Sequence, residues 1–220
     1  MRGLIVDFGG VLTTNVFDSF KAFCRAEGLP EDAVKNMFRE QGEGLALLRQ
    51  LEKGELTAAE FSEKFAPLLG VSSENLVERL FGGVGPDEPM VEAVRRARKA
   101  GIKTGLISNS WGEGLAYDQE MLDELFDAVV ISGDVGLHKP QPEIFLMGAE
   151  RIGVAPDECV FVDDLRENCA GAEAVGMKAI LHRGSAGTLP QLQERLGVPV
   201  GHQPEASVSG LRPSDGEVRA

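Results

Sequence analysis

Cysteine is scarce in this chain. There are three, Cys24, Cys159 and Cys169, an odd number with no Cys-x-x-Cys spacing. That pattern argues against a disulfide framework and against a zinc site, and it suits a reducing compartment. Cys159 opens an apolar run and reads as core packing. Positive charge is also short: 22 Lys and Arg stand against 35 Asp and Glu, a formal net charge of −13 with a pI near 4.7. Such an excess disfavours nucleic acid and anionic membrane surfaces as partners, although it permits a local basic pocket. Long hydrophobic runs are missing too. No segment approaches the roughly 18 apolar residues of a membrane-crossing helix, and Met1-Arg2-Gly3 leads straight into a short apolar stretch. The expectation is a cytoplasmic protein with no membrane span.

What is present is enough apolar material for a core. The chain has 220 residues and is 43% hydrophobic, sufficient for one core with a smaller attached domain. Short apolar runs recur at Leu4 to Val6, Thr104 to Ile107, Ala128 to Ile131, Cys159 to Val162 and Ala179 to Leu181. Runs this short, bounded by turn residues and alternating with amphipathic stretches, predict buried parallel strands in βαβ units. The stretches Met90 to Lys99, Pro142 to Arg151 and Asn168 to Val175 predict the intervening helices, with Gly101 as a stop after the first. The fold class is α/β, a parallel sheet flanked by helices.

The spacing is uneven. The last four strands lie close enough for βαβ units, but nearly a hundred residues separate the first two. The interval 14–86 has no strand pattern. It predicts helices at Val16 to Glu27, Glu31 to Arg39, Leu45 to Leu51, Ala58 to Leu69 and Glu74 to Phe81. Thr57-Ala58-Ala59-Glu60 is a capping box, and Gly54 and Gly70 end their helices. The interval reads as a helical insertion between 1–13 and 87–200, with Gly82 to Pro86 as the return hinge. That glycine run is not a phosphate loop, because no Lys-Ser/Thr follows it. Phe61, Phe65, Leu68 and Leu69 read as the insertion's own core. Residues 201–220 are polar, Gly/Pro/Ser-rich and aperiodic, and are expected to form a flexible tail.

The strand ends carry the chemistry. The first ends in Asp7 and turns through Gly9-Gly10. The second ends in Ser108-Asn109, the third is followed by His138-Lys139-Pro140, and the fourth ends in Asp163-Asp164. In a parallel sheet these ends share one edge, where ligands of open α/β sheets bind. Clustered carboxylates repel unless a cation is present, and a few hard oxygen ligands suit Mg²⁺ shared with a phosphate. Lys139 adds a fixed charge, and Ser108 and Asn109 add neutral hydrogen bonds. Together they describe a phosphoryl pocket beside a carboxylate nucleophile.

With these four motifs in order over about residues 1–196, the chain resembles the haloacid dehalogenase superfamily hydrolases with an α-helical cap. It is similar to the sugar-phosphate phosphatases and to the N-terminal phosphatase domain of soluble epoxide hydrolases. The resemblance implies a Rossmann-like core and a cap that sets substrate choice. It implies Asp7 as the nucleophile that forms an aspartyl-phosphate, and Ser108, Asn109 and Gly10 around the phosphoryl oxygens. Lys139 would neutralise charge between nucleophile and phosphate. Mg²⁺ would be held by Asp7, the Gly9 carbonyl and Asp164, with Asp163 as a further ligand or an orienting partner and Asn168 behind them. The implied partner is a small phosphorylated substrate. A homodimer through the cap is compatible with the sequence.

One position departs from the family pattern. Its phosphatases usually carry Asp-x-Asp, and here the triplet is Asp7-Phe8-Gly9. Gly9 keeps a carbonyl for the metal but has no side chain to protonate a leaving group or activate water. Three readings stay open: a phosphatase for esters with good leaving groups or with a recruited acid/base, for which His138 and Glu43 are candidates; a phospho-ligand-binding or regulatory protein with little turnover; and a metal-independent dehalogenase, which Asp163-Asp164 disfavours. Phe8 is expected in the core, Trp111 beneath the cap or at the site mouth, and His182 at the surface.

Overall fold

The computed structural model describes residues 1–109 and 118–201. Trp111, His202 and the tail beyond Gly201 therefore lie outside the described residues. Strand β1 (Gly3–Val6) is followed by helices α1 (Val16–Ala26), α2 (Ala33–Arg39), α3 (Glu43–Glu52), α4 (Ala58–Leu69) and α5 (Leu76–Phe81). Then come α6 (Glu88–Lys99), β2 (Lys103–Ser108), α7 (Gln119–Leu125), β3 (Ala128–Ile131), the one-turn α8 (Ser132–Val135) and α9 (Pro142–Ile152). The chain continues through β4 (Cys159–Asp163), α10 (Arg166–Ala174), β5 (Lys178–Leu181) and α11 (Ser185–Leu196).

The five strands form one parallel sheet in the order β3-β2-β1-β4-β5. Successive side chains of a strand point to opposite faces, and both faces are covered. Leu4 and Val6 pack with Met90, Val94 and Leu192 on one side, while Ile5 packs with Ile144, Phe145 and Phe161 on the other. That double burial is why the strands read as continuous apolar runs instead of alternating ones. Phe8 is buried in the first of these clusters.

Helices α1 to α5 enclose a separate apolar cluster built on Phe20, Phe38, Phe61, Phe65 and Leu80, against which Leu68 packs. Phe38, Phe61 and Phe65 stack with centroids about 5 Å apart for the Phe38–Phe65 and Phe61–Phe65 pairs, an arrangement that adds to plain burial. The chain leaves and re-enters the sheet region side by side: Thr13 bridges Pro86, Thr14 N donates to Gly85 O at 2.7 Å and Asp87 N to Leu12 O at 2.8 Å. The capping box is complete, with Thr57 Oγ1 accepting from Glu60 N at 3.2 Å and Glu60 Oε2 accepting from Thr57 N at 2.9 Å.

Several boundaries differ from expectation for local reasons. Helix α5 starts at Leu76, not Glu74, because Asn75 holds a left-handed φ of 47° that no helix continues through. Helix α2 starts at Ala33, after a turn in which Ala33 N donates to Pro30 O. Helix α10 starts at Arg166, two residues before the apolar pattern suggests. Helix α11, with Pro190 inside it and two glycines near its start, has no clear helical signature in the sequence.

Candidate active site

Strand β1 lies at the switch point of the sheet, with β2 on one side and β4 on the other. A crevice opens at such points beyond the carboxyl ends of the strands. Asp7 follows β1 directly, anchored by its N–H to Val162 O at 2.9 Å. Ser108 ends β2 and Asp163 ends β4, so the sheet itself sets these three side by side.

Lys139 comes from the loop before α9. Its backbone is clipped to β2 by a reciprocal pair: Lys139 N donates to Asn109 Oδ1 at 2.9 Å, and Asn109 Nδ2 donates to Lys139 O at 3.2 Å. The Lys139–Pro140 peptide bond is cis. Behind it α10 approaches so closely that a Cβ at Gly171 would lie 2.8 Å from Pro140 O, which only glycine permits without a shift. Held from both sides, the lysine is 3% exposed, and its Nζ lies 2.6 Å from Asp7 Oδ1 and 2.7 Å from Asp163 Oδ2.

The two aspartates at the end of β4 have different surroundings. Asp163 is wholly buried. Its Oδ1 accepts from Leu165 N at 2.8 Å and Asn168 Nδ2 at 3.0 Å, and its Oδ2 from Asn168 Nδ2 at 3.1 Å and Lys139. Asp164 is only partly buried and faces the crevice, its carboxylate pressed against Gly10, where a Cβ would meet Oδ2 at 2.8 Å. Gly10 also has a φ of 74°, and its N–H donates to Thr13 Oγ1 at 2.9 Å.

Carboxylate oxygens of Asp7, Asp163 and Asp164 all lie within 4.8 Å of one another. Burial pushes Asp7 up to about 8, with Lys139 opposing and Asp163 and Asp164 adding to the rise. Asp164 is raised to about 6, by burial and then by Asp163. Burial works against the charge on Lys139, but Asp163 and Asp7 outweigh it and hold its pKa above the ordinary value. One buried ammonium among three acids leaves negative charge uncompensated, so this donor set suits a hard cation.

A cavity of about 170 Å³ lies over these groups, between the sheet edge and the helical insertion. Asp7, Gly9, Ser108, Asn109, Lys139 and Asp164 form its floor. Phe17, Phe20, Phe38, Arg39, Leu48 and Glu52 form its roof. A second, more polar cavity of about 560 Å³ adjoins it, sharing Arg39 and Asp164 and bringing in Lys21, Lys35 and Arg183.

The two acid/base candidates named from the sequence do not line the 170 Å³ cavity. Glu43 is exposed at the start of α3, and His138 Nδ1 lies 3.0 Å from Lys139 O. Glu52 does line it, and nothing in the sequence singles it out: it is one acidic residue among several on an amphipathic helix. His182 corrects the surface expectation. It is 5% exposed, with Nδ1 2.9 Å from Thr188 Oγ1, because α11 folds back over the end of β5. All three cysteines are buried and free. Among the described residues no helix is long and apolar enough to cross a membrane.

Comparisons with known proteins agree with this architecture. Mouse bifunctional epoxide hydrolase 2 is 27% identical over 218 residues, covering 90% of this chain and 39% of that protein. Glyceraldehyde 3-phosphate phosphatase from Methanopyrus kandleri is 36% identical over 112 residues, 47% of this chain and 46% of the relative. The chain thus spans less than half the length of these curated relatives. Among solved structures, a family enzyme from Bacteroides thetaiotaomicron, in complex with magnesium and inorganic phosphate, superposes with a TM-score of 0.62 at 23% identity, covering 84% of this chain and 95% of its own, a likeness of fold. The haloacid dehalogenase-like hydrolase family model matches residues 1–176, four-fifths of the chain and every strand but the last, and the protein belongs to that family of hydrolases.

Proposed function

We propose that the protein is a Mg²⁺-dependent phosphatase acting on a small phosphorylated metabolite through an aspartyl-phosphate on Asp7. The observation that carries this reading is the Lys139 ammonium, buried between Asp7 and Asp163 on the floor of a cavity that also holds Ser108, Asn109 and Asp164. Relatives named as phosphatases support the reaction class.

Asp7, Asp164 and the Gly9 carbonyl are the groups that would hold the metal. The donor chemistry fits, since three carboxylates compete for one lysine. Bound there, Mg²⁺ would neutralise the carboxylates and withdraw charge from the phosphoryl oxygens. Asp163 acts as a positioning residue, because its carboxylate is taken up by protein donors: Lys139, Leu165 and Asn168.

The chain's own groups then divide the reaction. Asp7 attacks phosphorus and the ester P–O bond breaks. Lys139 offsets the charge that builds up between the incoming carboxylate and the phosphoryl group. Ser108 and Asn109, at the end of β2, hold the phosphoryl oxygens in line. Water then attacks the phosphorus of the aspartyl-phosphate and frees Asp7. The helical insertion serves as the cap that closes the site and selects the substrate. Gly9 supplies no acid or base, a loss typically worth about 10²- to 10⁴-fold in rate. That missing carboxyl is the one observation favouring the second reading, a phospho-ligand-binding protein with little turnover.

A phosphate-release screen over small phosphorylated metabolites, with Mg²⁺ and then with chelator, tests the proposal. Release that depends on Mg²⁺ and vanishes in Asp7→Asn is expected. Turnover unchanged in chelator would refute the metal-dependent mechanism, and phosphate binding without release would favour the second reading.

A further inference from the structure

We propose that Glu52, from the helical insertion, is the general acid/base that Gly9 cannot be. The inference rests on the phosphatase reading and deepens it. A phosphatase of this type needs one group that gives a proton to the departing oxygen and later takes one from water. That group must face the phosphoryl pocket from the leaving-group side, opposite Asp7. The helical insertion walls the cavity across from the strand ends that carry Asp7, and among the described residues Glu52 is the carboxyl group it contributes to the lining.

Its position is set by contacts, not by chance exposure. Glu52 is the last residue of α3, and its carbonyl accepts a hydrogen bond from the Ser132 hydroxyl at the start of α8. Two residues on, Gly54 has a φ of 71°, and a Cβ there would lie 3.1 Å from Gly133 O. The end of α3 is therefore seated on α8, directly after β3, at the same sheet edge as Asp7. Ser132 is itself completely buried.

The electrostatics are consistent with the role. Burial raises the Glu52 carboxyl to about 7, with Lys139 and Arg49 opposing the rise. A carboxylate in the last turn of a helix is also disfavoured by the negative end of the helix dipole. A group poised near neutral pH can both donate and accept a proton during one turnover. The other charged groups around the cavity are Asp7, Asp164, Glu167, Lys139 and Arg39. Glu167 is exposed and comes from the first turn of α10, on the sheet side of the cavity and not from the helical insertion, so it does not compete for the role.

The proton balance closes. Protonated Glu52 gives its proton to the leaving oxygen as Asp7 attacks and the P–O ester bond breaks. The Glu52 carboxylate then takes a proton from the water that attacks phosphorus. The P–O bond to Asp7 breaks, Asp7 leaves as carboxylate, and Glu52 is protonated again.

The test uses two substrates, p-nitrophenyl phosphate with a good leaving group and glycerol 3-phosphate with a poor one. Glu52→Gln should lower kcat on the alkyl ester by about 10²- to 10⁴-fold. With p-nitrophenyl phosphate it should let an acid-quenched, hydroxylamine-sensitive phosphoenzyme accumulate. Glu52→Asp should keep part of the activity, and Gly9→Asp placed in the Glu52→Gln background should restore part of it. A wild type that hydrolyses both esters and a folded Glu52→Gln protein that matches it, with no phosphoenzyme build-up, would overturn the Glu52 assignment alone. A wild type that releases phosphate from neither ester nor from any metabolite in the screen would overturn the phosphatase reading beneath it.

Discussion

Replacing Glu52 by Gln should stabilise the protein at alkaline pH, and the structure sets the size of the effect. The folded protein holds this carboxyl near 7, against an ordinary value of 4.5. A tenfold change in proton affinity is worth about 1.4 kcal/mol, so the ionised side chain costs up to about 3 kcal/mol of folding stability. Because the folded value is the raised one, the wild type keeps its full stability below about pH 4.5 and loses this share as pH rises through 7. Gln does not titrate. Urea unfolding of both proteins, in chelator, should therefore give nearly equal stabilities near pH 4.5. The variant should lead by about 3 kcal/mol by pH 8.5, or roughly 6–12 °C in melting temperature for a chain of this size. Asp7 and Asp164 are also raised, to about 8 and about 6, but both proteins contain them, so the difference between the two curves isolates Glu52. A pH-independent difference would refute the claim that the half-buried Glu52 is held against its charge. A gain in stability with a loss of turnover would mark Glu52 as a residue kept for function.

Other perturbations have equally definite outcomes. Gly9→Asp has room, because the nearest atom to a Cβ there is Val16 Cγ2 at 3.5 Å, so in the Glu52→Gln background it should raise turnover of alkyl phosphates by up to about 10²-fold, while in the wild-type background, where Glu52 is present, it should change little; a flat response from a folded, Mg²⁺-binding double variant would count against a missing acid/base at this position. Gly10→Ala combines a φ of 74° with a contact of 2.8 Å to Asp164 Oδ2, so it should cost about 1 kcal/mol or more of stability and weaken Mg²⁺ binding in a calorimetric titration. Lys139→Met leaves Asp7 and Asp163 without their buried cation and should destabilise by about 3–5 kcal/mol at pH 9. That deficit should shrink on acidification, as Asp7, whose carboxyl burial already raises to about 8, takes up a proton, and denaturation curves at pH 9 and 5 would check it.

The strands are legible in the sequence because each is a local apolar run, and a buried parallel strand needs nothing else to declare itself. Once they are parallel, their ends share an edge, which is how Asp7, Ser108, Lys139 and Asp164 can be grouped from the sequence. Helix starts are less legible. Asn75 in a left-handed conformation and the turn at Pro30 shift α5 and α2 by two residues each, because a cap is decided by backbone angles that composition only biases. The burial of His182 is hidden for a related reason: a histidine after an edge strand is exposed unless a later helix covers it, and α11 does.

By itself, the sequence determined the parallel sheet, the helical insertion and the identity of the groups at the strand ends, since those follow from apolar periodicity and chain order. Only the tertiary structure decided how those groups divide their work. Asp163 and Asp164 are adjacent and chemically identical, yet one is engaged by Lys139, Leu165 and Asn168 while the other faces the cavity, because neighbouring residues at a strand end point to opposite sides. Glu52 is the same case over a longer range. On its own helix it resembles any exposed acid, and it joins the cavity only because α3 seats its last turn on Ser132, 80 residues further along the chain.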